Sequence, residues 1–288
     1  MFNEENTVEQ MVIDTLCTTK ALSDYTARFK GWCYIPANKL DRQPSDVFVE
    51  SMARDALIRL NPEIKENPDR ADEVLYRLRA IPLTVESEGL VRANEYFSNW
   101  LRGDKTMPFG EQGEHTPVRL VDFENLANNE FVITTQWAYP VIEDGKRFDI
   151  VLLVNGFPLV IGEAKTPVRP AVTWVDGASD IHNGYEQSVP QMFVPNVFSF
   201  ATEGKCFRYG SIRMPIDIWG PWHDPENKSE GTMSDVQRSI RSMLRPGVIL
   251  DILRNFTIFA TDKKHRRIKI ICRYQQYEAA NLIVDRVV

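Results

Sequence analysis

The chain has 288 residues, 43% of them hydrophobic and 26% charged, with a net charge of −6 and a pI near 5.4. This is room for one large globular domain or two ordinary ones, and the acidic balance argues against a chain that holds a polyanion unaided, though not against one to which other domains or subunits deliver it. The longest apolar stretch, 150–161, is broken by Asn155, Gly156 and Pro158, and the acidic MFNEENTVEQ start lacks the layout of a signal peptide; a cytoplasmic protein with no membrane span is expected.

In chain order, Val8, Met11, Val12 and Leu16 recur near the helical period, which predicts a helix over 7–18 with Thr7 as a plausible cap. Amphipathic helices are expected over 46–60, 70–79 and 85–102, followed by a polar Gly/Pro-containing loop over 103–117. The pattern then changes. VRLVDF (118–123), EFVITTQWAY (130–139), RFDIVLLV (147–154) and PLVIGEAK (158–165) are rich in β-branched and aromatic residues and read as strands. A helix over 175–188 and strands over 196–202 and 206–212 complete this part. Residues 215–231, rich in Pro, Gly and Trp, suggest a linker or packed loop. Helices are expected over 233–245 and 247–256, a strand over 267–274, and a helix over 275–288. That last helix, apolar and without a polar tail, suggests the start of a further element. Together these elements predict an α/β fold: a mixed central sheet flanked by helices over 1–214, then a helical linking segment over 215–288.

The four cysteines (Cys17, Cys33, Cys206, Cys272) form no CxxC pair, and the four histidines show no HxH or HxxxH spacing, so no zinc site is expected. Chemistry concentrates instead in RFDIVLLVNGFPLVIGEAKTP, residues 147–167. Asn155-Gly156 between two apolar runs is a hairpin signal. Asp149, Glu163 and Lys165 interrupt strands that otherwise read as buried, and charges there are costly unless paired or bound to metal. Glu163 and Lys165 share one strand face. A simple two-residue turn would set Asp149 opposite Gly162; bringing it opposite Glu163 needs a one-residue offset, expected near 155–157. Two carboxylates can hold Mg²⁺ while leaving waters on it, and a nearby lysine can orient water or offset charge on a phosphate. The same trio can equally form a structural ion-pair network.

At these residues the chain resembles the PD-(D/E)xK nuclease superfamily, and more closely the N-terminal part of the restriction (R) subunit of type I restriction-modification enzymes. The resemblance covers nearly the whole chain: FNEENTVEQMVIDTL, GWCYIP and RLNP match the opening elements, RFDIVLLVNGFPLVIGEAKTP the nuclease core, and VPQMFVPNVFSFATEG the segment after it. It implies Mg²⁺-dependent endonucleolytic cleavage of double-stranded DNA. Asp149 and Glu163 would be metal ligands, with Lys165 catalytic beside them. Modification and specificity subunits are the implied partners. A Q-x-x-x-Y motif follows the lysine in this family. Tyr185 matches its tyrosine, but the glutamine position falls on Ile181, leaving Asp180, His182 or Gln187 as substitutes or the contact absent. Glu9 matches a position where related nucleases place another acid near the metal; the alternative is a plain surface glutamate. CRYQQYEAANLIVDRVV resembles the stretch preceding the P-loop of the family's helicase motor, with Gln276 at an adenine-reading position. No G-x-x-x-x-G-K-[ST] occurs in the chain, so ATP binding is implied only for a longer parent protein.

Two rivals accompany this reading. One is a stand-alone nuclease, against which the helicase-like stretch argues. The other is a non-catalytic docking module. The basic run KKHRRIK (263–269) reads as a solvated turn or a phosphate contact, Arg238, Arg241 and Arg245 as a basic helix face, and Trp174, Trp219 and Trp222 as packing residues.

Overall fold

The computed structural model describes residues 5–17, 31–140, 145–223 and 227–287. Among the described residues there are ten strands: β1 (Cys33–Tyr34), β2 (Thr106–Met107), β3 (Thr116–Pro117), β4 (Phe131–Tyr139), β5 (Lys146–Val154), β6 (Phe157–Ala164), β7 (Phe198–Thr202), β8 (Phe207–Gly210), β9 (Thr257–Thr261) and β10 (Arg267–Ile271). Six form one mixed sheet in the order β1-β4-β5-β6-β7-β8, parallel at β1/β4 and β6/β7 and antiparallel elsewhere. β5 and β6 lie at its centre, and from Ile150 to Val154 and across all of β6 every residue is buried, which is why their sequence is almost continuously apolar. β9 and β10 make a separate hairpin, and β2 with β3 a two-residue ladder.

The helices are α1 (Gln10–Cys17), α2 (Glu50–Leu60), α3 (Pro62–Glu66), α4 (Asp69–Leu83), α5 (Val85–Glu88), α6 (Leu90–Leu101), α7 (Trp174–Ser179), α8 (Glu186–Ser188), α9 (Met233–Met243), α10 (Pro246–Asn255) and α11 (Tyr274–Val287). The predicted helices thus appear at nearly the expected places; residues 18 and 288, and 224–226 of the predicted loop, lie outside the described residues. Phe48, just before α2, and Phe97 of α6 pack against Phe157 on β6, with ring centroids 5.2–6.3 Å apart. α9 and α10 each bury an apolar stripe, and a Thr232–Asp235 capping box starts α9.

Two expectations are corrected. Residues 118–123 form no strand, although Val118, Leu120 and Val121 are buried. Side-chain amides take the place of a neighbouring strand: Asn61 accepts from Arg119 N–H (2.7 Å) and donates to Arg119 O (2.9 Å), and Asn155 donates to Leu120 O (2.9 Å). The second is β9, which covers residues where no element was expected between the 247–256 helix and the 267–274 strand; it is the partner of β10 in a five-pair antiparallel ladder.

Candidate active site

The β5–β6 hairpin turns in two residues. Asn155 and Gly156 both adopt positive φ, 50° and 83°, as a tight hairpin requires. Gly156 is obligatory for a second reason: a Cβ there would lie 2.5 Å from Val49 O. Val154 pairs with Phe157 and Leu153 with Pro158, but Leu152 pairs with Val160 and Ile150 with Gly162. One extra residue, Leu159, is therefore accommodated on β6. The expected offset is present, displaced from the turn itself to the following pair. It sets Asp149 beside Glu163, not Gly162.

The predicted trio comes together. Glu163 is buried, with 3% of its side chain exposed, and Lys165 Nζ lies 2.8 Å from its Oε1. Asp149 Oδ2 accepts the Ala164 N–H at 3.0 Å, so the carboxylate caps the strand next to Glu163. Burial first, and the Asp149 charge second, raise the Glu163 pKa to about 8, while Lys165 opposes the shift. Burial alone would lower the Lys165 pKa; Glu163 and Asp180 outweigh it, the net shift is upward, and the ammonium stays charged.

The segment 174–188 covers this site. It begins with a Thr173–Asp176 capping box, and Gly177 approaches so closely that a Cβ there would lie 3.3 Å from Glu163 Cγ. Residues Asp180–Tyr185 form a π-helical turn, in which Glu186 N–H reaches back to Ile181 O. Tyr185 donates its hydroxyl to Glu163 Oε1 at 3.3 Å, and its ring packs against Phe148 at 5.1 Å. Burial and then the surrounding carboxylates raise its pKa, so it remains a donor. Ile181, at the expected glutamine position, is fully buried. Of the suggested substitutes, Asp180 reaches the site: its Oδ2 lies 2.6 Å from Lys165 Nζ. His182 instead faces Glu186, 3.7 Å away.

Glu9 is not a surface residue; it is 3% exposed. Its Oε1 accepts from Gln136 Nε2 at 2.7 Å, and the same amide nitrogen lies 3.4 Å from Asp149 Oδ1. Gln136 thus bridges Glu9 and Asp149, held in a left-handed conformation (φ 58°) inside β4. Sequence reasoning missed Gln136. The only signal was an amide in an otherwise apolar and hydroxyl-bearing strand.

Two carboxylates beside each other suit an oxygen-seeking cation such as Mg²⁺, which keeps several waters and needs few protein ligands. Glu163 Oε2 is buried and has no hydrogen-bond partner, leaving a lone pair for such an ion. Among the described residues, no group of three or more His, Cys, Asp or Glu is arranged to enclose a metal. The fit is therefore to a partly hydrated ion.

A family profile described as "Type I restriction enzyme R protein N terminus" matches residues 1–215. The chain belongs to that family. Over 248 residues it is 32% identical to the "Type I restriction enzyme HindI endonuclease subunit" of Haemophilus influenzae, a match covering 83% of this chain and 23% of that protein. It is 26% identical over 255 residues to the "Putative type I restriction enzyme MjaIXP endonuclease subunit" of Methanocaldococcus jannaschii, covering 82% and 24%. The chain spans about a quarter of the length of these relatives.

The remaining predicted residues fall elsewhere. Gln276 Oε1 accepts the Arg273 N–H at 2.8 Å at the start of α11, away from the trio. The basic run lies on the β9–β10 hairpin, where Arg267 pairs with Glu95. Arg238 pairs with Asp235, and Trp219 and Trp222 are buried. No helix among the described residues is long and apolar enough to cross a membrane.

Proposed function

We propose that residues 1–214 are a PD-(D/E)xK endonuclease domain that hydrolyses phosphodiester bonds of double-stranded DNA with Mg²⁺. Residues 215–288 lead into the motor of an ATP-dependent translocating R subunit. The observation that carries this reading is the register offset at Leu159, which places Asp149 beside Glu163 and leaves Glu163 Oε2 without a partner in a buried setting. An apolar hairpin gains nothing in packing from two opposed carboxylates; each costs desolvation unless a cation offsets it.

Asp149 and Glu163 would hold the ion, with Glu9 tied to Asp149 through Gln136. The ion would supply a water of lowered pKa and neutralise phosphate charge. Lys165 stays protonated and offers its ammonium to the scissile phosphate or to the attacking water. Tyr185 holds Glu163 in its rotamer through Oε1. The net charge of −6 fits a domain whose DNA is delivered by the motor and by modification and specificity subunits. Gln276 and ATP belong, on this reading, to the motor.

The Lys165 contacts favour one second reading: with Glu163 and Asp180 both on its ammonium, the trio can serve as an ion-pair network in a non-catalytic docking module. Supercoiled-plasmid cleavage by the full subunit assembled with its partners separates the two. Lys165→Ala should reduce cleavage at least about a hundredfold with ATPase retained. Parental cleavage by that variant would remove the cleavage role from Lys165 and leave it to the ion-pair network.

A further inference from the structure

Lys165 has two carboxylates on its ammonium, and they differ in kind. Glu163 belongs to the opposed pair on the hairpin, buried, with Oε1 shared between Lys165 and Tyr185. Asp180 lies outside that pair on the covering helix, and 49% of its side chain is exposed. With its charge committed to a divalent ion, Glu163 would hold the neighbouring ammonium less strongly, since like charges would then face each other across the site. Asp180 is then the carboxylate left on Lys165.

The π turn makes this contact possible. Asp180 and Tyr185 are five residues apart, which on a regular α-helix would set them about 140° from each other. The wider turn over Asp180–Tyr185 closes most of that angle, so that one side chain reaches Lys165 and the other Glu163. Ile181 is correspondingly turned into the core. The Thr173–Asp176 capping box and the close approach at Gly177 fix the segment against the strand before the turn begins.

We propose that Asp180 is a positioning residue for the cleavage reaction: it anchors the Lys165 ammonium in the site when Glu163 is engaged by the metal. The proposal rests on the reading of the trio as a cleavage site.

The test uses Asp180→Ala, Asp180→Asn and Asp180→Glu in the full-length subunit assembled with its partners, measuring single-turnover plasmid cleavage at saturating DNA across a Mg²⁺ titration. Asp180→Ala and Asp180→Asn should lower the maximal rate by about 10–100-fold with the half-saturating Mg²⁺ concentration within about twofold of the parent, and Asp180→Glu should recover most of the rate. A second readout needs no cleavage. In urea unfolding of the 288-residue chain, Asp180→Asn should change the unfolding constant about fivefold in the parent and not at all in a Lys165→Met background. Parental cleavage by Asp180→Ala, while Lys165→Ala is inactive, overturns this inference and leaves the site reading intact. So does an additive cycle, or a rate loss that excess Mg²⁺ restores. Parental cleavage by Lys165→Ala removes the site reading, and this inference with it.

Discussion

Glu163 and Glu186 lie at opposite ends of the same stretch of structure and differ in what their burial is for. Both are almost inaccessible, at 3% and 1%, and both have raised pKa values with burial as the first cause. Glu186 is locked into the scaffold. Its Oε2 accepts the Arg213 N–H at 2.9 Å, and its backbone carbonyl accepts from the Arg213 guanidinium at 3.0 Å. Nearby, the buried Lys269 of β10 donates to Asn196 O at 2.6 Å. Glu186 and Arg213 tie the covering helix to the loop after β8, and Lys269 ties the β9–β10 hairpin to the loop before β7. Glu163 instead gathers two donors on one oxygen, offers none to the other, and has a second carboxylate as its neighbour. A buried charge is weak evidence for chemistry by itself; unused acceptor capacity beside a like charge is the stronger sign.

Glu163→Gln breaks this comparison most sharply. The change removes the buried charge and its repulsion with Asp149 while keeping the shape. Plasmid cleavage should fall at least about a hundredfold, while the metal-free chain gains about 1 kcal/mol of stability near pH 8, read by urea unfolding. Parental cleavage by Glu163→Gln would mark Glu163 as a scaffold carboxylate like Glu186. Gly162, the neighbour of Glu163, tests the scaffold beneath. A Cβ there would lie 2.2 Å from the Phe200 ring, which is itself stacked on Phe207 at 5.2 Å. Gly162→Ala should cost about 3 kcal/mol in the same measurement, because neither ring has room to yield.

The contrast also explains what could be read from the sequence. The hairpin, the need for an offset and the meeting of Asp149, Glu163 and Lys165 were legible because strand period and turn length are local rules. The place of the offset was not: Leu159 is one apolar residue among many, and which one is left out of the ladder depends on packing from other strands. Asp180 was visible only as one of several polar residues around Ile181, since a π turn has no simple sequence signature. Gln136 and the buried state of Glu9 depend on β4 and the N-terminal segment meeting across more than a hundred residues. The missing strand at 118–123 failed for a similar reason: Asn61 and Asn155 supply its hydrogen bonds from distant elements.

The Glu186 cluster predicts a pH dependence of stability. Burial first, against the opposing Arg213 contacts, moves the Glu186 pKa up from 4.5 to about 7. Between those values the folded chain keeps a proton that the unfolded chain has released. Stability from this group is therefore fully present below the unfolded pKa and is lost as pH rises through about 7, by up to about 3 kcal/mol. Glu186→Gln should flatten the pH profile of urea unfolding over that window. A profile unchanged by the substitution would show that Arg213 keeps Glu186 charged.

The smallest expected effect distinguishes stability from chemistry at one position. Gly177 faces Ala201 Cβ at 3.2 Å and Glu163 Cγ at 3.3 Å from an added Cβ, whereas Gly184 in the same covering segment has nothing within 4 Å. Both substitutions to alanine gain about 0.5–1 kcal/mol from reduced freedom of the unfolded chain. At Gly177 the tight contacts offset that gain, so Gly177→Ala should leave stability within about 1 kcal/mol of the parent. Its cleavage rate should nevertheless fall about tenfold, because one of the two side chains that must give way is Glu163 and small displacements of a positioned group are costly to rate. Parental cleavage by Gly177→Ala would mean that Ala201 yields instead, and that the covering helix tolerates a wider gap over the site than its packing suggests.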